Sequence, residues 1–102
     1  MKRREYDIRL LRVAEDDLTE IVSYIAADRP SAADAVASQI EKNLALLANN
    51  PHLGRIPKEE DLAHLGYRYL VIDNYLVFYI IEDNAILVHR ILHGARDYLR
   101  LF

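Results

Sequence analysis

Two histidines, His89 and His93, stand four residues apart, separated by Arg90, Ile91 and Leu92. Imidazole is the side chain best matched to proton transfer near neutral pH, so either could serve as a general acid or base. They cannot share one metal ion if the segment is a strand, where residues four apart lie roughly 13 Å from each other. The structural reading of His93 is a hydrogen-bonded residue that fixes the turn at Gly94, and His89 has a similar structural reading. Arg90 and Arg96 can hold a phosphate, a target protein or an acidic stretch of a partner through the two-pronged guanidinium. Their plainer role is surface pairing, Arg90 with Glu82 and Arg96 with Asp97, which contributes little. The segment Tyr98-Leu99-Arg100-Leu101-Phe102 is apolar, aromatic and basic at once. That is the composition of a binding hot spot, or of a terminal turn docked on the core. Cysteine is absent, which excludes disulfides, thiolate metal sites and a cysteine nucleophile. No metal and no cofactor are expected.

At 102 residues the chain is read as one domain, 1–102. Its 52% hydrophobic and 28% charged content supplies a core and excludes disorder as the resting state of most of the chain. No apolar run reaches the roughly 18 residues of a membrane span, and the first residues lack a signal peptide's apolar stretch. The expectation is a cytoplasmic protein without a membrane partner. The net charge of −3 argues against general nucleic-acid binding, yet it is unevenly distributed. Residues 1–12 carry five basic against two acidic groups, 84–102 three against one, and 13–83 five against thirteen. If the first and last strands are neighbours, their arginines build one positive surface on an acidic molecule.

The elements that must position these residues follow from the period of the apolar positions. Residues 6–11 alternate Tyr6, Ile8 and Leu10 against Asp7 and Arg9, the pattern of a half-buried strand. Ala14, Leu18, Ile21, Val22 and Ile25 then form one helical stripe, giving a helix from residue 14 to about 28. Glu15, Asp16 and Asp17 fall in its first turn, where carboxylates complement the helix dipole. Arg29-Pro30 breaks this helix, and Ser31 with Asp34 suggests a capping box for a second. Its stripe is Ala33, Val36, Ala37, Ile40, Leu44 and Leu47, and Asn49-Asn50-Pro51 ends it. Residues 51–65 read as a surface loop with a solvated Lys58-Glu59-Glu60-Asp61 cluster. Residues 67–72, 75–82 and 85–93 are strands joined by two-residue turns at Asp73-Asn74 and Asp83-Asn84, where Asp and Asn tolerate positive φ.

The fold class is α+β: an N-terminal strand, a two-helix hairpin, then a three-stranded antiparallel meander. The hairpin can cover one face of an antiparallel sheet. In the strand 75–82, Tyr75, Val77, Tyr79 and Ile81 point one way and Leu76, Phe78 and Ile80 the other. Both faces are apolar, so one is expected to seek a partner unless a curled sheet and the long loop bury it.

Several features in order resemble the RelE/ParE toxin family over nearly the whole chain. They are Asp17-Leu18, Ile21 and Tyr24-Ile25-Ala26; Pro30 with Ala32-Ala33; Leu47, Asn50-Pro51 and Gly54-Arg55; Gly66-Tyr67-Arg68; Tyr75 with Val77-Phe78-Tyr79; and Ile91-Leu92-His93-Gly94-Ala95-Arg96-Asp97. The resemblance implies the toxin of a type II pair, neutralised by a cognate antitoxin that wraps extended and helical segments around it. It also implies one of two targets: DNA gyrase, poisoned by binding, or the ribosome, on which messenger RNA is cut.

Cleaving RNA through its 2′-hydroxyl needs a base, cations for the phosphorane and an acid for the leaving oxygen. By resemblance to the RNA-cleaving members, Arg68 and Arg96 stand at two of the cationic positions, with His93 as a substitute acid or base. Leu70 and Leu76 occupy two further cationic positions, and Phe102 replaces a C-terminal tyrosine or histidine without offering a proton. The expectation therefore leans to the noncatalytic gyrase inhibitor, with the ribosome-dependent endoribonuclease as the alternative. Under the binding reading, Arg90, Arg96, Tyr98, Arg100, Phe102, Leu76 and Phe78 are the candidate contacts to target or antitoxin.

Overall fold

The computed structural model describes residues 5–94. The element order is β1 (Asp7–Leu10), α1 (Arg12–Ala26), α2 (Pro30–Asn49), α3 (Glu60–His64), β2 (Tyr67–Ile72), β3 (Tyr75–Glu82) and β4 (Ala85–His93). The α+β class, the helix pair and the meander stand as the apolar periods and turn residues require. Asp73 and Asp83 adopt φ of 52° and 56° at the two tight turns, the left-handed geometry that matches the twist of a hairpin.

The sheet order is β1-β4-β3-β2. Contrary to the expectation of an all-antiparallel sheet, β1 pairs in parallel with β4, Asp7 opposite Ala85 and Leu10 opposite Val88. A parallel pair needs a long crossover, and here α1, α2, β2 and β3 all lie between its two strands. The first and last strands are thus neighbours. The basic groups of residues 1–4 and 95–102, which would complete a positive surface there, lie outside the described residues.

Three local readings change. The capping box does not form: Arg29 occupies the N-cap of α2 without a side-chain cap, and Pro30 takes the first turn, so Ser31 is already inside the helix. Proline's fixed φ and missing N–H suit that position. Residues 51–65 contain α3, a turn too short for a period to reveal, which brings Leu62 down onto the sheet. The outer face is consequently not left open at its centre. Phe78 is only 1% exposed and packs with Leu62 and Leu92, flanked by Tyr67, Tyr69 and Leu76.

The main core lies between the helix pair and the sheet. Ile40, Leu44 and Leu47 of α2 meet Leu70, Ile72, Val77 and Tyr79 of β2 and β3. From β4 come Ile86, Val88 and Ile91. A spacing of three within one strand breaks the period of two. The cause is a β-bulge: Phe78 lies opposite Arg90 and Tyr79 opposite Val88, leaving His89 as the extra residue on β4.

Candidate functional site

The bulge and the departure of β1 meet at one place. The last sheet bond before the chain turns into α1 runs from the Leu11 N–H to the Val88 carbonyl, at 3.0 Å. Beyond it β4 continues to His93 with no β1 beside it, so its outward N–H groups need other acceptors. Asp17 supplies one. Its Oδ2 accepts the Ile91 N–H at 3.0 Å and the Arg90 Nε–H at 2.8 Å, while Oδ1 accepts from Arg90 Nη2 at 2.9 Å. Both side chains are largely buried, 16% exposed for Arg90 and 11% for Asp17. The hydrogen bond to Asp17 raises the Arg90 pKa further above its usual value, against the opposing effect of burial.

Arg90 was expected at the surface beside Glu82, and Asp17 as one of three carboxylates serving the helix dipole. The structure instead joins these two to each other. The signal was present in the sequence: Asp17 lies three residues after Ala14 and four before Ile21, inside the apolar stripe, where a solvated carboxylate has no reason to sit.

Next to this pair, α1 and the exposed length of β4 enclose a groove of about 360 Å³. Ile21 and Ile25 of α1 and Ile91 of β4 give it an apolar lining, and Asp17 and Glu20 an acidic end. Tyr24 stands on its rim, 83% exposed. Across from it, Tyr75 and His93 pack edge to face, ring centres 5.5 Å apart at 84°. His93, a candidate acid or base, is exposed at this groove.

His89 is turned elsewhere. Its Nδ1 lies 2.9 Å from the Tyr67 hydroxyl, and the rings meet edge to face at 5.0 Å. Burial lowers the His89 pKa, partly offset by the charge of Glu82, and burial raises that of Tyr67. A neutral imidazole accepting the Tyr67 O–H is consistent with both directions.

Arg68, the other described residue of the proposed catalytic set, is engaged with backbone. Its Nη1 donates to the Gly54 carbonyl at 2.9 Å and to the His52 carbonyl at 3.4 Å. The same loop is pinned from below by Tyr79, whose hydroxyl donates to the Pro51 carbonyl at 2.7 Å and accepts the Gly54 N–H at 2.9 Å. Burial raises the Tyr79 pKa, opposed by the Gly54 bond and the nearby Arg68 charge. Arg55 then pairs with Tyr69 through two backbone bonds of 2.8 and 2.9 Å, covering the free edge of β2.

Arg68 and His93 are not brought together. Arg68 lies in the row of Tyr79 and Val88, and His93 lies five residues further along β4, roughly 15 Å at strand spacing. Leu70 is 7% exposed in the main core, a position that could not hold a cation without breaking the packing. Of the candidate contacts, Leu76 is half-buried on the outer face and Phe78 is buried beneath α3. Arg96, Tyr98, Arg100 and Phe102 lie outside the described residues. Among the described residues no three His, Cys, Asp or Glu side chains gather as a metal site, and no helix is long and apolar enough to cross a membrane.

Against known proteins, the model of the family described as ParE toxin of type II toxin-antitoxin system, parDE, matches residues 8–98. No curated protein matches the chain significantly. Among solved structures, the chain is similar to one from the chromosomal ParDE toxin-antitoxin system of P. aeruginosa. The TM-score is 0.73 at 19% identity, covering 88% of this chain and 97% of that one. It is also similar to a chain of the RelBE2 toxin-antitoxin complex of Mycobacterium tuberculosis, with TM-score 0.62 at 24% identity, covering 87% and 98% respectively. At these identities the two structures speak for the fold.

Proposed function

The chain belongs to the ParE toxin family of type II toxin-antitoxin systems, and from that premise we propose that it arrests growth by binding DNA gyrase without catalysis. A cognate antitoxin neutralises it, and both act in the cytoplasm, where their targets are. The observation that carries the reading is the state of Arg68. A residue that stabilises a phosphorane must aim its guanidinium at open space where the phosphate will lie. Arg68 instead holds the Gly54 and His52 carbonyls and fastens a loop. Leu70 in the core and Phe102 at a position needing a proton donor support the same conclusion.

The alternative, a ribosome-dependent endoribonuclease, retains one supporting observation: His93 is exposed at the mouth of a groove, where an imidazole can exchange protons. The two readings separate in one pair of assays. The purified toxin is added to a gyrase supercoiling reaction and to a translating ribosome extract. Inhibited supercoiling with intact messenger is the expected result; cleaved messenger with unaffected gyrase overturns the proposal.

A further inference from the structure

The loop from α2 to α3 is held far more firmly than a connection requires. The N–H groups of Leu53, Gly54 and Arg55 donate to the Asn50 carbonyl, the Tyr79 hydroxyl and the Tyr69 carbonyl. The Pro51 carbonyl accepts from Tyr79, the His52 and Gly54 carbonyls from Arg68, and the Arg55 carbonyl from the Tyr69 N–H. Gly54 and Pro57 are buried, whereas Leu53, Arg55, Ile56 and Lys58 are exposed. Leu53 keeps 50% and Ile56 60% of its surface open to solvent. A single exposed apolar side chain needs no explanation, but two on one fixed strap, interleaved with two cations, have the make-up of a contact. A segment already fixed in its bound shape loses little conformational freedom when a partner covers it. Residues 51–58 contain no carboxylate, and the acidic Glu60 and Asp61 line a depression of their own with His64 and Leu65. The strap thus shows positive charge on a chain of net charge −3, which selects an acidic partner surface.

We propose that residues 53–58 are a contact of the toxin to its protein target: Leu53 and Ile56 enter an apolar depression of that protein, and Arg55 and Lys58 face carboxylates at its rim. The surface lies at the β2 edge of the sheet and shares no residue with the groove between α1 and β4. The inference takes its partner from the gyrase reading. The apolar pair supplies affinity, and the cations steer the approach and reject a basic surface.

Three variants test it: Ile56→Asp, Arg55→Glu and, as a control of equal charge change at an exposed position of α2, Lys42→Glu. Each is measured for binding to purified gyrase without DNA, for growth inhibition on expression, and for its urea denaturation midpoint. Ile56→Asp and Arg55→Glu are each expected to weaken gyrase binding at least about tenfold with the parent's midpoint, while Lys42→Glu binds as the parent does. Added salt should weaken binding of the parent more than that of Arg55→Glu. Parent-like binding and growth inhibition by both strap variants overturns the proposal, and so does an equal loss in Lys42→Glu, which would reduce the effect to net charge. Self-association of the parent that Ile56→Asp abolishes also overturns it, by making the occupant a second copy. Should the midpoint of Ile56→Asp fall, Lys58→Glu, outside the pinned stretch, takes its place and must show the same loss. If the parent does not bind gyrase, the target reading falls and growth inhibition decides the strap. Kept in both variants, it makes the strap ordinary surface; lost in both at equal abundance, it leaves the strap as the contact to another target.

Discussion

Asp17 and Arg90, 73 residues apart in sequence, meet through two hydrogen bonds of 2.8 and 2.9 Å, and the same carboxylate holds the Ile91 N–H. One side chain thereby closes a sheet edge, neutralises a largely buried guanidinium and fixes α1 against β4. Asp17→Ala should cost about 3 kcal/mol, the scale of breaking one partner from a buried pair. Asp17→Asn keeps an acceptor for Ile91 and should cost less. Urea denaturation of Asp17→Ala, Arg90→Ala and the double variant tests the pair. A coupling below about 0.5 kcal/mol would show that the two act independently.

Gly54 has no room for a side chain. A Cβ there would lie 2.5 Å from the Tyr79 hydroxyl oxygen and 2.7 Å from its ring. Gly54→Ala should destabilise by about 2 kcal/mol through overpacking. Tyr79→Phe should cost about 1–2 kcal/mol, since the Pro51 carbonyl and Gly54 N–H both lose their partner. Because the phenylalanine ring still crowds position 54, Tyr79→Phe should relieve the Gly54→Ala defect only in part. Full relief in thermal melts would place the whole clash at the hydroxyl.

The His89 pKa lies below the ordinary 6.5 because burial disfavours its charge. The unfolded chain therefore takes up the proton first, and stability falls as the pH drops below about 6.5. Replacing His89 with glutamine should flatten this part of the stability profile. Tyr67→Phe, which removes the hydroxyl beside Nδ1, should shift the imidazole titration seen by NMR. An unchanged profile in both variants would remove His89 from the acid response.

Arg68 and Arg96 should separate in their effects. Arg68→Ala is expected to lose about 1 kcal/mol of stability with the loop hydrogen bonds, and to keep growth inhibition at temperatures where it stays folded. Arg96→Ala should reduce growth inhibition with an unchanged denaturation curve. The opposite pairing, a silent Arg96 and an essential Arg68, would favour RNA cleavage.

What the sequence disclosed was whatever local periodicity encodes. The stripes from Ala14 and Ala33 and the Asp-Asn turns were enough to place α1, α2 and the meander, because burial of one face imposes its own period. The parallel pairing of β1 was invisible, since nothing in residues 7–10 states which strand will lie beside them. Leu62 was missed because a single turn such as α3 has too few positions to show a stripe. The bulge at His89 hid the direction of Arg90, which strict alternation assigns wrongly. Of the site, the sequence drew notice to His93 and Arg90 by residue type alone, but the pairing of Arg90 with Asp17 and the placing of Glu20 and Tyr24 beside His93 emerge only when α1 is set against β4.

The pairing of β1 with β4 also orders events in time. Ile8 waits for Ile86, so a chain leaving the ribosome can form its helices early yet cannot close its sheet until the last strand has emerged. Asp17 must wait for Arg90 in the same way. The groove between α1 and β4 therefore comes into existence only at the end of synthesis, and a truncated translation product would present neither that surface nor a folded toxin.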